Sequence, residues 1–371
     1  MNIFNLVGIP EGLISSLPSE VIFIVPHGSR LYGTNSEDSD EDVVAIFIPS
    51  SYNLALQVKE DWPKLRFNKD GTKQDGSVQN PSNKDTIEVE FMSLPDLVKG
   101  FISGSPMEME IMSYLKGQSD LRSLASGKRS EMEPKRFKAN LVLDFLSGLG
   151  EAVVASDVHP LLGFAKKNIT FIQEKANRYK TFTELQAWIK DGYVSGRFEP
   201  HDTISERKEG RENRILELVE LSKRLPGIEL GDSGWKLFQK TVSYDITFSN
   251  LYRHLETILG KYSERTVTAY EVGFDLKGLY HAVRCVIQVK EILLRGSITY
   301  PLREADLLKQ VKAGEVEVGK VQDLLVTRFN EVRSLMEDIP HLGSRMGEGR
   351  RAAEYYICNT MLDLYRSLYR N

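Results

Sequence analysis

The sequence predicts an α+β protein: a small α/β domain built on a short mixed sheet, followed by a mostly α-helical domain. Three observations carry this expectation. Three strand-like runs fall within the first hundred residues, the pattern switches to helical spacing at Pro95, and strand signals largely stop from there on. At 371 residues the chain is too long for one small core. A boundary is therefore expected, with one domain over residues 1–115 and a second, helical one over residues 116–371 that closes over the first.

In chain order, residues 20 to 26 and 43 to 49 read as short strands rich in Val and Ile. "DTIEVEFMSL", Asp85 to Leu94, alternates apolar and acidic residues as a third strand would. Between the second and third runs, residues 59–85 are polar and studded with Gly, Pro and Asn, which reads as a long mobile excursion and a candidate substrate flap. "PDLVKGFISGS" then opens a helix on Pro95, and "PMEMEIMSYLKG" opens another on Pro106. "RILELVELSKRL", "FSNLYRHLETILGKY", "LKGLYHAVRCVIQVKEILLRG" and "AAEYYICNTMLDLYRSLY" continue at helical period. Residues 197–214 balance basic against acidic side chains and read as a solvated loop running into a helix.

Composition narrows the class. With 41% hydrophobic and 27% charged residues the chain is an ordinary globular one, not disordered or collagenous. The first residues lack the pattern of a secretion signal and no window holds 18 consecutive apolar residues, so a cytoplasmic protein without a membrane partner is expected. Two cysteines, Cys285 and Cys358, are too few for a disulfide framework or a structural zinc site. A net charge of −4 offers no global attraction to nucleic acid, so any such contact needs a local basic surface or bound cations. Residues 116–138 carry seven basic and three acidic residues; a solvated connecting loop is the first reading and a polynucleotide-facing patch the second. "GSRMGEGRR", residues 343–351, matches no phosphate-loop spacing and reads as a loop.

The chemistry concentrates in "PHGSRLYGTNSEDSDEDVVAIFIP". Side chains alternate along a strand, so Asp40 and Asp42 are expected on one face with Glu41 on the other. Two carboxylates so placed repel each other unless cations sit between them, and hard oxygen ligands suit Mg²⁺ or Mn²⁺. Gly28 lets backbone N–H groups approach a phosphate, and Ser29 adds a hydroxyl. On helical spacing, Lys277, His281 and Arg284 share one stripe, which is either a solvated face or a set of cations for triphosphate oxygens.

A Gly-Ser pair after a strand, about ten residues, and then Asp-x-Asp on the next strand resembles the signature of the DNA-polymerase-β-like nucleotidyltransferase superfamily. The fuller string, with Gly28, Ser29, Arg30, Tyr32, Gly33, Asp38, Ser39, Asp40 and Asp42 in place, is similar to its RNA-ligase-associated branch. "SLPDLVKGFISGSPMEMEIM" is similar to that branch's next helix, with Ser105 where Asn is usual and Glu110 as the following acid, and "DLKGLYHAVRCVIQVKEILLRGSITYPL" resembles its C-terminal helix. The resemblance touches roughly residues 20–110 and 270–312. It implies a nucleotidyltransferase in which Asp40 and Asp42 ligate two Mg²⁺ or Mn²⁺ ions and Glu88 supplies the third carboxylate. Asp85 and Glu90 stand as substitutes, of which Glu90 shares a face with Glu88. It further implies that Gly28, Ser29, Arg30, Lys277, His281 and Arg284 hold a nucleoside triphosphate, and that the acceptor is an RNA or tRNA end. The alternatives are a non-catalytic nucleotide- or RNA-binding module and a protein-modifying nucleotidyltransferase.

Overall fold

The structure is a computed structural model and describes residues 4–5, 10–56, 62–74, 85–117, 141–142, 144–146, 158–205, 214–232, 234–338, 355 and 359–368. The basic stretch 118–138 and the loop 343–351 singled out in the sequence lie outside the described residues. The chain forms an α+β fold of two compact units, one of Met1–Ala165 with Ala282–Asn371 and one of Lys166–His281. This differs from the linear division at residue 115. A compact unit is defined by a shared core rather than by contiguous sequence, and helices after residue 281 complete the N-terminal one: Arg284 and Gln288 donate to Glu110 at 2.7 and 3.0 Å.

The first unit is built on a five-stranded mixed sheet, in the order β1-β2-β3-β5-β4, from β1 (Phe4–Asn5), β2 (Val21–His27), β3 (Glu41–Phe47), β4 (Leu65–Asn68) and β5 (Thr86–Ser93). β2 and β3 run antiparallel, β3 and β5 parallel, and β4 and β5 antiparallel. One face carries Val43, Ala45, Phe47, Phe67, Ile87 and Val89 into a core shared with Leu13 and Ile14 of α1 (Glu11–Ser16). α2 (Gly28–Tyr32) follows β2 directly and ends on Gly33, whose φ of 74° is the left-handed geometry that glycine tolerates best. α3 (Ser51–Ala55) follows β3. α4 (Leu94–Ile102) starts as expected: Ser93 accepts from the Asp96 N–H and Pro95 occupies the first turn. α5 (Pro106–Gly117) comes next.

The excursion between the second and third expected strands is not all loop. β4 lies inside it as an edge strand, followed by a turn in which Gly71 N–H donates to Asn68 O at 2.8 Å; residues 75–84 lie outside the described residues.

Later elements are α6 (His159–Val194), α7 (Arg214–Arg224), β6 (Ile228–Leu230), β7 (Gly234–Leu237), β8 (Lys240–Ser243), α8 (Phe248–Leu259), α9 (Glu264–Val272), α10 (Leu276–Arg295), α11 (Ala305–Ala313) and α12 (Val318–Asp338). The second unit surrounds a core containing Trp188, Phe198, Trp235, Phe248 and Leu251, and its three-stranded antiparallel sheet β6-β7-β8 has no counterpart in the sequence expectation. Among the described residues no helix is long and apolar enough to cross a membrane.

Candidate functional site

One row of side chains crosses four strands of the first sheet. Pairing in register, His27 of β2 faces Asp42 of β3, Asp42 faces Glu88 of β5, and Glu88 faces Arg66 of β4. Paired residues in neighbouring strands project to the same side, so the four share the sheet face opposite the Leu13 core. Glu90 stands one row along, beside Val44. Asp85 precedes β5 and is exposed.

Asp40 departs from its expected place. β3 begins at Glu41, and Asp40 lies just ahead of it in the turn where Ser39 Oγ accepts from the Ser36 N–H at 2.9 Å. Arg30, expected on a phosphate, here donates through Nε to the Asp40 carbonyl at 3.3 Å and lies 4.0 Å from Glu41. Gly28 is needed twice over: its φ is 66°, and a Cβ built there would collide with Asp42 Oδ2. The close approach places the Asp42 carboxylate directly against the backbone of the Gly28–Ser29 turn. Ser29 uses its own carbonyl to accept from the Thr34 N–H at 2.8 Å, which closes that turn.

Glu88 is engaged from its far side. Arg66 Nη2 lies 3.0 Å from Glu88 Oε2, and Lys64 Nζ lies 3.4 Å from Glu88 Oε1 and 2.9 Å from Glu90 Oε2. The donor chemistry of Asp40, Asp42 and Glu88, all carboxylate oxygen, fits a hard divalent cation. Among the described residues, however, these three have not converged: the group of three whose ligand atoms fall within 4.8 Å of one another is Glu199, His201 and Asp202. That second group reads as a loop clamp, because Asp202 is fully buried, pairs with Arg214 at 2.6 Å and accepts the Glu199 N–H at 3.0 Å.

Next to His27, at one end of the row, lies a buried polar cluster within the first unit. Glu110, 1% exposed, accepts from Tyr32 OH at 2.6 Å, Arg284 Nη1 at 2.7 Å and Gln288 Nε2 at 3.0 Å. The Arg284 guanidinium also stacks over the Tyr32 ring, 4.1 Å from its centroid. His27 Nδ1 is 3.8 Å from Glu110 Oε2, and burial holds its pKa below the ordinary 6.5 even though the Glu110 charge pushes it upward. Burial also raises the Cys285 thiol to about 11 and the Tyr300 phenol well above its usual range.

Arg284 is therefore placed differently from the expected open stripe. It is 4% exposed and bound to Glu110, whereas Lys277 on the same helix is exposed and His281 half-buried. Lys277 and His281 belong to the second unit and Arg284 to the first. The stripe expected from helical spacing is thus split between an exposed Lys277 and a buried Arg284, because residues 278–280 and 282–289 are buried on nearly every side of α10. Lys64 and Arg66 escaped notice in the sequence. The alternation in Lys64-Leu65-Arg66-Phe67-Asn68 ahead of Asp70-Gly71 was the available signal for a strand and turn.

No family model matches the chain, and no solved structure matches it. The chain is similar to one curated phage protein. That relative, the "Uncharacterized 38.9 kDa protein in nrdC-mobD intergenic region" of Enterobacteria phage T4, is 23% identical over 361 residues, which cover 92% of this chain and 97% of the relative.

Proposed function

We propose that the protein is a metal-dependent nucleotidyltransferase. The observation that carries this reading is the contact of the Gly28–Ser29 turn with Asp42, whose register neighbour on the same face is Glu88. Such a site sets a phosphate-binding backbone turn against paired carboxylates. In the reaction, an acceptor hydroxyl oxygen bonds to the α-phosphorus of a nucleoside triphosphate, the bond from that phosphorus to the bridging oxygen breaks, and pyrophosphate leaves with the electron pair. Mg²⁺ or Mn²⁺ held by Asp40, Asp42 and Glu88 would supply Lewis-acid neutralisation of the phosphate charge. Glu88 orients the acceptor and takes up its hydroxyl proton. Gly28 and Ser29 position the β and γ phosphates.

An RNA or tRNA end is the acceptor suggested by the resemblance, and a cytoplasmic location is the one that the N-terminal sequence and the two cysteines favour. The ion pairing of Glu88 with Arg66 and Lys64 favours one rival, a nucleotide-binding module without catalysis, because it occupies the third carboxylate. Incubation with each labelled triphosphate, Mg²⁺ or Mn²⁺, and either pooled RNA or protein lysate tests the proposal. Label should enter one acceptor and be lost in Asp42→Asn; label retained at the wild-type rate in that variant would end the reading.

A further inference from the structure

Lys64 and Arg66 stand on the acidic face, on the side of Glu88 away from the Gly28–Ser29 turn. The strand order β2-β3-β5-β4 puts both acid-bearing strands between that turn and these cations. Arg66 is 18% exposed and Lys64 55% exposed, so the guanidinium is the more firmly held of the two. Together they give Glu88 and Glu90 two positive charges at 2.9 to 3.4 Å, the charge that one divalent ion would bring.

We propose that Lys64 and Arg66 are an exchangeable cation pair: they compete with a divalent ion for Glu88 and, once displaced, bind phosphate groups of the acceptor. The inference rests on the nucleotidyltransferase reading and adds to it the chemical class of the acceptor, one that bears phosphate beside its reactive hydroxyl. The physical reason is charge balance. Both Glu88 oxygens already face a cation, Oε2 the Arg66 guanidinium at 3.0 Å and Oε1 the Lys64 ammonium at 3.4 Å, so a divalent ion that takes Glu88 repels both and favours release of a planar donor fork. That fork's geometry matches phosphate. Its position beyond Glu88 from the Gly28–Ser29 turn assigns it to the acceptor rather than to the β and γ phosphates.

The two halves of the exchange have opposite signs, which makes them testable in the whole 371-residue chain. Mn²⁺ binding is read from the loss of the free-ion electron paramagnetic resonance signal. Arg66→Gln should tighten Mn²⁺ binding by about three- to tenfold, the scale of one partly buried ion pair, and Lys64→Gln, on a more exposed partner, by about twofold. Arg66→Lys should stay near wild type. At saturating Mn²⁺, calorimetry compares inorganic tripolyphosphate with a 5′-phosphorylated oligonucleotide. The oligonucleotide should bind Arg66→Gln about tenfold more weakly, with tripolyphosphate affinity unchanged. Loss confined to tripolyphosphate, or Mn²⁺ affinity unchanged or weakened in both glutamine variants, would overturn the exchange. Asp42→Asn separates the two levels: if it abolishes Mn²⁺ binding while the glutamine variants behave as wild type, the exchange alone fails. If it binds Mn²⁺ normally, the site reading beneath the exchange fails with it.

Discussion

Replacing Arg284 with methionine removes the cation from a nearly dry cluster while keeping most of the side-chain volume. The pair it breaks joins groups 4% and 1% exposed at 2.7 Å. Glu110 would keep Tyr32 OH and Gln288 Nε2 as donors but lose its ion pair with Arg284, and the Tyr32 ring would lose the guanidinium stacked 4.1 Å away. Leaving a carboxylate in that setting costs about 3–5 kcal/mol. A phosphate-binding Arg284, the role expected from helical spacing, would instead cost about 1.5–3 kcal/mol of ligand affinity and little stability. Urea denaturation followed by circular dichroism separates the two. With a slope of about 3 kcal/mol/M, the midpoint of the first unit's transition should fall by about 1–1.7 M. Hydrogen exchange of peptides from α10 and β2 assigns that transition to the unit. Adding Glu110→Gln to Arg284→Met removes the stranded charge, so the double variant should be more stable than the single one. A wild-type midpoint in Arg284→Met, together with tenfold weaker triphosphate binding, would refute the anchoring role and restore the phosphate contact.

Two further outcomes follow from the same face of the sheet. Because burial lowers the His27 pKa below 6.5, the unfolded chain takes up that proton first as pH falls, so stability declines from about pH 6.5 toward the folded value. His27→Gln should flatten the decline by up to about 1.4 kcal/mol per pH unit, read from unfolding midpoints at about pH 7 and 5.5; an unchanged slope would contradict it. Gly28→Ala forces a side chain into φ 66° and against Asp42 Oδ2, and should cost at least about 1–2 kcal/mol in thermal unfolding. Wild-type stability would show that the turn and Asp42 are not as closely opposed as described.

The local features were legible from the sequence because their signals are short-range. Val21–His27, Glu41–Phe47 and Thr86–Ser93 are strands within two residues of where runs and alternation place them, and Ser93-Leu94-Pro95-Asp96 starts a helix as its residue types dictate. The alternation that put Glu88 and Glu90 on one face also holds, since side-chain period in a strand is a property of the backbone. β4 was hidden because four residues in a polar stretch give too little periodicity, and its pairing with β5 supplies what its own sequence lacks. Only the tertiary structure decided which charges meet. Arg284 and Glu110 are 174 residues apart, and Arg66 and Glu88 are 22 apart. Helical spacing gave Arg284 the same outward stripe as Lys277, but burial is set by what packs around the helix. Chain folding returns the segment after residue 281 to the N-terminal sheet, and the arginine read as a ligand for phosphate becomes the counter-ion of a buried carboxylate.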